Sequence, residues 1–193
     1  MRVLAHFLLW CAGSAGPETQ TTEAERECLA RYASGRRRVV EIGVWHGVTT
    51  SRLRAAMAPD GVLSAVDPFL TGRLGFSAQQ HIAHQEVAKI KNGQVRWLRT
   101  NGDKASTGHE RVDFVFIDGD HSEQALRADW NAWSGLVEPG GIAAIHDSRS
   151  TPTRDIGDAG SVKVTHALIL RDQRFEVVDV VDSLTVLRRR TEL

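Results

Sequence analysis

The fold is decided by the stretch VVEIGVWHGVTT at residues 39–50. Its first part is apolar except for Glu41, which predicts a strand buried on both faces, as in a parallel sheet. Gly43 and Gly47 follow, and glycines let the backbone turn tightly and approach a ligand closely. A helix is expected from Thr50. The stretch is therefore a strand–turn–helix unit of the kind that builds doubly wound α/β sheets.

The same alternation continues along the chain on both sides of this unit. A capping box at residues 22–25 predicts an earlier helix that ends near Ala33. Further strands are expected at Val62–Asp67, Val95–Leu98, Val112–Asp118 and Ile142–His146. Helices are expected at Thr50–Met57, Ser77–Lys91, Ser122–Leu136 and Val162–Leu170.

The last segment differs because its two apolar runs, Phe175–Val181 and Leu184–Leu187, are separated only by Asp182 and Ser183. Strands joined this tightly must be antiparallel. The sequence therefore predicts a Rossmann-like, doubly wound α/β fold, with a mostly parallel seven-stranded sheet that ends in an antiparallel hairpin. Ligands of such sheets bind outside the carboxyl ends of the strands.

The bulk composition limits the function. The 193 residues suffice for one domain with a full core, with residues 1–21 as an N-terminal segment or lid and 148–161 as a substrate-side loop. A formal net charge of zero argues against nucleic acid or an anionic membrane as partner. Cys11 and Cys28 form no disulfide framework, which fits the cytoplasm. Residues 1–16 superficially match a secretory signal; the alternative is a helix that packs on the domain.

The glycine loop argues against one class of cofactor. The dinucleotide fingerprint G-x-G-x-x-G would need a glycine where Trp45 stands. A side chain of that size obstructs the approach of a pyrophosphate to the helix N-terminus. A cofactor without phosphate, such as S-adenosylmethionine, does not need that approach.

The ends of the second and third strands carry residue types that bind nucleosides. Asp67 can accept hydrogen bonds from both ribose hydroxyls, although it could also be a turn residue before Pro68. Asn101 and Gly102 suit contacts with adenine or ribose, and a plain turn is the alternative.

Carboxylates and imidazoles follow the fourth and fifth strands. Asp118, Asp120 and His121 follow one, and His146 and Asp147 follow the other. Asp118 and Asp147 could anchor Mg²⁺, which prefers carboxylate oxygens. His146 is the first candidate for a general base, because imidazole titrates near neutral pH, and His121 and Asp120 are its rivals.

Together these segments resemble class I O-methyltransferases that act on small molecules and sugars. The resemblance covers residues 22–190 and rests on Glu41-x-Gly43-x3-Gly47, Asp67, FIDGDH at 116–121 and LVEPGGIAAIHD at 136–147. Within that family, the chain is similar to actinobacterial sugar O-methyltransferases linked to methylmannose polysaccharide.

The resemblance implies S-adenosylmethionine as cofactor and assigns roles to individual residues. Glu41 would hold the methionine amino end above Gly43 and Gly47, and Asp67 would bind the ribose. The other expected cofactor contacts are Trp45, Thr49, Asn101, Gly102 and Asp118. Asp118 and Asp147 match two metal ligands of the cation-dependent members. Ser148 stands where many of those members carry a third acidic or amide ligand, which leaves the need for Mg²⁺ open.

The predicted reaction is the transfer of a methyl group to a hydroxyl of a small molecule, in the first place a sugar. Positioning and a general base would supply the rate, with Mg²⁺ assisting if it is bound. A homodimer is common among proteins of this fold. Two other classes stay open: an NAD(P)-dependent oxidoreductase, which Trp45 disfavours, and a non-catalytic interaction module, which the acids and histidines at the strand ends disfavour.

Overall fold

A seven-stranded sheet runs through the molecule, and the computed structural model describes residues 2–72 and 75–191. The strands are β1 (Arg38–Ile42), β2 (Val62–Val66), β3 (Gln94–Leu98), β4 (Val112–Ile117), β5 (Val137–Ile145), β6 (Phe175–Val181) and β7 (Leu184–Arg189). Their order in the sheet is β3-β2-β1-β4-β5-β7-β6. β1 to β5 are parallel, and β7 pairs antiparallel with both β5 and β6. The predicted fold class is confirmed.

Helices connect the strands and cover both faces of the sheet. They are α1 (Arg2–Cys11), α2 (Glu23–Ala33), α3 (Val48–Ala56), α4 (Ala78–Ala88), α5 (Gly102–Ala105), α6 (Glu123–Trp133) and α7 (Gly160–Ala167), followed by a 3-10 helix at Ile169–Arg171. The capping box predicted for α2 is present, with Thr22 and Glu25 each bonded to the other's backbone N–H. Within the described residues, every helix is too short or too polar to cross a membrane.

Two large apolar clusters fix the helices to the sheet. On one face, Trp130 and Trp133 of α6 pack with Val164 of α7 against β1, β4 and β5. On the other face, Leu29 of α2 and Leu53 of α3 pack against the same central strands. Because both faces are covered, the central strands are apolar almost throughout, as expected of a parallel sheet.

The structure differs from the predicted elements mainly around β5 and α5. β5 begins at Val137, earlier than expected, because Val137 pairs with Val112 before the register shifts at the glycines that follow Pro139. The short helix α5 stands where a plain turn was an alternative, after Asn101. Elsewhere the helix and strand limits differ from the predicted ones by a few residues, which is normal for element ends.

Gly43 is required by packing at the end of β1. Its φ of +89° lies in the left-handed region, and a Cβ at this position would overlap the backbone carbonyl oxygen of Asp118 at the end of β4. Only glycine lets the two strand ends approach so closely. Gly35 has a similar φ of +71° but nothing within 4 Å of a Cβ.

These two glycines give a matched test of this close approach. Gly35→Ala should cost about 1 kcal/mol of unfolding free energy, because only the left-handed backbone is disfavoured. Gly43→Ala should cost about 2 to 4 kcal/mol, because overpacking adds to that backbone term. Urea denaturation measures both values, and equal losses would contradict the packing role of Gly43.

Candidate functional site

A cavity of about 890 Å³ opens at the carboxyl ends of β1, β2 and β4. This is where ligands bind in open α/β sheets. Most of the residues predicted to bind cofactor or act on substrate line it: Gly43, Trp45, Thr49, Asp67, Asn101, Gly102, Asp118, Asp120 and His121. The other predicted site residues, Glu41, Gly47, His146 and Asp147, lie outside the set of described residues that line the cavity.

The cavity wall is acidic. Its described lining includes six carboxylates, namely Glu18, Asp67, Asp103, Asp118, Asp120 and Asp129, and contains neither lysine nor arginine. Such a wall attracts a cationic ligand and repels a pyrophosphate. The electrostatics therefore agree with the loop sterics in disfavouring a dinucleotide.

Asp67 holds the glycine loop in place. Its Oδ2 accepts hydrogen bonds from the backbone N–H of Val44 at 3.0 Å and of Trp45 at 3.3 Å, and its Oδ1 accepts one from Phe69 at 2.7 Å. Trp45 has a positive φ of 53°, which a bulky residue adopts only when its surroundings impose it. The indole is 41% exposed and lines the cavity.

Glu41 and Gly47 lie behind the loop. Glu41 is 1% exposed, and its Oε2 has no hydrogen-bond partner among the described residues. Burial, together with the charges of Asp118 and Asp67, raises the pKa of Glu41 well above its usual value. Gly47 has a φ of +76°, and a Cβ there would press on Val87 and Ala83 of α4. The predicted roles of Glu41 and Gly47 toward a cofactor stay predictions.

A chain of alternating charges lies beside the cavity. Asp118 Oδ1 accepts hydrogen bonds from His146 Nδ1 at 2.8 Å and from His121 Nε2 at 3.3 Å. His121 Nδ1 lies 3.1 Å from Asp147 Oδ2. Arg154 Nη1 and Nη2 donate to the two oxygens of Asp147 at 2.5 and 2.8 Å. Glu25 contacts His146 at the other end of this chain of charges. We call the six residues the charged network: Glu25, His146, Asp118, His121, Asp147 and Arg154.

Glu25 is a member of this network that sequence reasoning missed. Its Oε2 lies 3.3 Å from His146 Nε2, and its Oε1 accepts hydrogen bonds from the backbone N–H and the hydroxyl of Ser183 at 2.9 and 2.7 Å. Burial raises the pKa of Glu25, but hydrogen bonds from His146 and from the Thr22 backbone outweigh it and lower the pKa to about 2. The sequence around Glu25 predicts only its part in the capping box.

The two histidines of the network differ in access. His146 is 2% exposed, whereas His121 is half-buried and lines the cavity. Burial lowers the pKa of His146, but Asp118 and Glu25 outweigh it and raise the pKa to about 10. Hydrogen bonds with Asp118 and Asp147 raise the pKa of His121 to about 9. Both shifts favour the protonated form of these imidazoles at neutral pH.

The N-terminal segment reaches the cavity rim. Glu18 lines the cavity, and its backbone N–H donates to His46 Nδ1 at 2.9 Å. The His6 ring of α1 stacks on the His46 ring at 5.1 Å, and the Trp10 indole N–H donates to Glu86 of α4 at 2.9 Å. These contacts hold α1 and Glu18 beside the cavity rim. The predicted action of residues 1–21 as a lid stays a prediction, and Met1 lies outside the described residues.

Comparison with known proteins identifies the class of this site. Residues 40–148, over half of the chain, match a family described as a methyltransferase domain. The chain belongs to this methyltransferase family. A protein of Mycobacterium sp. (strain JLS), whose name places it among the O-methyltransferases, is 30% identical over 91% of this chain and 80% of its own length. The prediction of a methyltransferase enzyme is confirmed.

Solved structures share the fold. An O-methyltransferase from Bacillus cereus in complex with S-adenosylhomocysteine aligns with a TM-score of 0.66 at 18% identity, covering 98% of this chain and 91% of that one. TomG from Streptomyces achromogenes, an O-methyltransferase of tomaymycin synthesis in complex with S-adenosylmethionine, aligns with a TM-score of 0.68 at 16% identity, covering 98% and 90%.

The Mg²⁺ that the resemblance implies for this methyltransferase does not fit the residues present. Both oxygens of Asp147 are bonded to Arg154, so this expected ligand already faces a cation. Ser148 points away, because its hydroxyl bonds the Ser183 carbonyl at 2.6 Å and Thr185 at 2.7 Å. The remaining cluster of Asp118, His121 and His146 offers one carboxylate and two imidazoles. Mg²⁺ prefers oxygen ligands, so this donor set suits it poorly.

Asp129 of α6 is a second residue of the methyltransferase site that sequence reasoning missed. It lines the cavity, and burial raises its pKa to about 7, assisted by the charge of Asp103. A Cβ on Gly102 would overlap the Asp129 carboxylate, so Gly102 is needed for this close approach. Asp129 lies within the apolar pattern of an amphipathic helix, where nothing in the sequence distinguishes it from a solvated residue.

Glu25→Gln should destabilise the fold on the order of 3 kcal/mol near pH 7, because it leaves the buried His146 without its second carboxylate. The folded-state pKa of Glu25 lies below its ordinary value of 4.5, so its contribution is present above pH 4.5 and is lost as the pH falls toward 2. We therefore expect the variant to lose less stability than the wild type over this acid range. Urea unfolding at a series of pH values measures both effects.

Glu27→Gln is the matched control, because Glu27 is exposed on the same helix. It should leave the stability within about 0.5 kcal/mol of the wild type at every pH. A Glu25→Gln variant with the same acid profile as Glu27→Gln would show that Glu25 does not stabilise the network.

Proposed function

We propose that this chain is an S-adenosylmethionine-dependent O-methyltransferase that methylates a hydroxyl of a small molecule. One observation carries the proposal: the cavity at the strand ends has six carboxylates and neither lysine nor arginine in its described lining. S-adenosylmethionine carries a sulfonium, an ammonium and a carboxylate group, so its net positive charge complements this wall. An NAD(P)-dependent oxidoreductase would need to hold a pyrophosphate among these carboxylates.

The residues present fit this cofactor in size and in chemistry. A cavity of about 890 Å³ is within the range of cofactor sites. Asp67 lines the cavity and holds the loop that carries Trp45, and we propose that it also accepts hydrogen bonds from the ribose hydroxyls. The buried Oε2 of Glu41 behind that loop has no hydrogen-bond partner among the described residues, and we propose that it accepts from the ammonium group of the cofactor. The cofactors bound in the two solved O-methyltransferases support the same choice.

When bound, S-adenosylmethionine supplies a methyl group whose bond to sulfur breaks, with the electron pair staying on sulfur, as the new bond to the acceptor oxygen forms. The chain must hold the acceptor in line and remove its proton, because a hydroxyl is a weak acid. Among the predicted bases, His121 is the one imidazole that lines the cavity. Its 3.3 Å contact with Asp118 is long for a hydrogen bond, so this nitrogen is the one we propose to turn to the acceptor.

This proposal changes the role of His146. Because His146 is buried between Asp118 and Glu25, we assign it to holding the Asp118 carboxylate rather than to proton removal. Asp120, which lines the cavity but caps the following turn through Ser122, remains a rival base.

We propose a sugar as the acceptor. The support is the resemblance in sequence together with the exposed indole of Trp45 at the cavity, since an aromatic face packs well against a sugar ring. The loop at 148–161 lies next to Asp147 and would form the acceptor side, through residues such as Arg154. A panel of sugars and phenols, assayed with and without EDTA, tests the acceptor class.

Isothermal titration should show binding of S-adenosylhomocysteine and none of NAD⁺. Asp67→Asn should weaken that binding about tenfold to a hundredfold, because it removes charged acceptors from the loop and the ribose. Asp60→Asn, an exposed turn residue, is the control and should bind as the wild type does. Binding of NAD⁺ in preference to S-adenosylhomocysteine would overturn the proposed function.

The base proposal predicts a pH profile. His121 must lose its proton to act, and its pKa is raised to about 9, so kcat/KM should rise with pH and level off above about 9. His121→Ala should lower kcat/KM about 100-fold to 10,000-fold and remove this rise. His166→Ala, on the exposed side of α7, should leave rate and profile unchanged. If His121→Ala keeps the pH profile of the wild type, the general base is Asp120 or His146 instead.

A further inference from the structure

Arg154 makes the most complete charge contact in the candidate site. Its two terminal nitrogens meet the two oxygens of Asp147 at 2.5 and 2.8 Å, the paired geometry in which guanidinium binds carboxylate best. Asp147 is 1% exposed, whereas Arg154 keeps 46% of its side chain exposed. The arginine therefore covers a buried carboxylate and keeps part of its own surface facing outward.

The loop that carries Arg154 is built to hold it there. Thr151 and Arg154 exchange backbone hydrogen bonds of 3.0 and 3.3 Å, and the Thr151 hydroxyl accepts a third from the Arg154 N–H at 3.1 Å. At the end of the loop, Ser161 donates its hydroxyl to the Asp147 carbonyl at 2.7 Å. Arg154 thus projects from a hydrogen-bonded turn, and the end of the longer loop, at Ser161, is bonded to the same aspartate.

The surroundings of Asp147 leave neither carboxylate oxygen free for a divalent ion. His121 Nδ1 lies 3.1 Å from Oδ2 of Asp147, so this oxygen contacts both the imidazole and the guanidinium. The next residue, Ser148, is bonded to Ser183 and Thr185 on the side of β7. A divalent ion bound to Asp147 would have to displace the guanidinium.

We propose that Arg154 takes the place of a divalent cation on Asp147, so that this chain transfers methyl groups without a metal. This inference rests on the proposed function. Arg154 is then a positioning residue that fixes Asp147 and, through it, His121. Its positive charge balances the negative charge of the Asp147 carboxylate, as a metal ion on that carboxylate would. Unlike a metal, a guanidinium is not removed by a chelator and stays charged at every working pH.

The test compares metal binding with catalysis in full-length variants. Mn²⁺ is the probe, because its electron paramagnetic resonance signal reports binding directly and without turnover. The wild type should show no stoichiometric Mn²⁺ binding and should keep its activity in EDTA. Arg154→Ala uncovers Asp147 and should gain Mn²⁺ binding, which the further change Asp147→Asn should abolish.

Catalysis should depend on the position that Arg154 gives to Asp147 and His121. Arg154→Ala should lower kcat about 100-fold with a smaller effect on KM, since a displaced His121 slows proton removal more than binding. Arg154→Lys keeps the charge but loses the paired geometry, so its kcat should lie between the two. Arg149→Ala, an exposed arginine in the same loop, should match the wild type in both measurements.

Stoichiometric Mn²⁺ binding by the wild type, or loss of its activity in EDTA, would overturn the proposal. Arg154→Ala with unchanged kcat and no gain of Mn²⁺ binding would overturn it as well. Failure of the proposed function would look different, because the wild type would then neither bind S-adenosylhomocysteine nor methylate any acceptor. The Mn²⁺ result for Arg154→Ala does not depend on that outcome.

Discussion

Buried charges at the ends of β4 and β5 are the constraint on which the rest of the site depends. An isolated ion in this environment would be strongly destabilising, so each charge must have a partner of opposite sign. The charged network satisfies this by alternation: Glu25, His146, Asp118, His121, Asp147 and Arg154 follow one another in contact. Its members come from α2, from the ends of β4 and β5, and from the loop before α7. The network therefore fixes where these segments meet.

The sequence predicted the fold well because strand and turn signals are local. The apolar runs, the capping box before α2 and the two-residue turn at Asp182 and Ser183 each depend on neighbours in the chain. Asp67 and Asp118 could be expected at the cavity for the same reason, since each directly follows an apolar strand, and His121 comes three residues after Asp118. The predicted strand limits differ most from the structure where pairing decides them. Val137 belongs to β5 because it pairs with Val112 on another strand.

The parts of the site that were missed depend on contacts distant in sequence. Glu25 reads locally as a helix cap, and only the packing of α2 on the sheet brings it to His146. Arg154 lies in a polar loop without periodicity, so nothing in its neighbourhood points to Asp147. For Gly43 the sequence predicts a tight turn and the close approach of a ligand. The structure adds that the backbone of Asp118 fills the space where a side chain would be.

The contact between Glu25 and Ser183 joins residues 158 positions apart. The chain leaves the ribosome from its N-terminus, so α2 and the parallel strands are available long before the turn between β6 and β7 is made. The Oε1 of Glu25 can find its two hydrogen-bond donors, the backbone N–H and the hydroxyl of Ser183, only after that turn has emerged, and long-range contacts of this kind form slowly. A chain whose synthesis stops before Ser183 therefore leaves the Glu25 carboxylate incompletely hydrogen-bonded and the charged network incomplete.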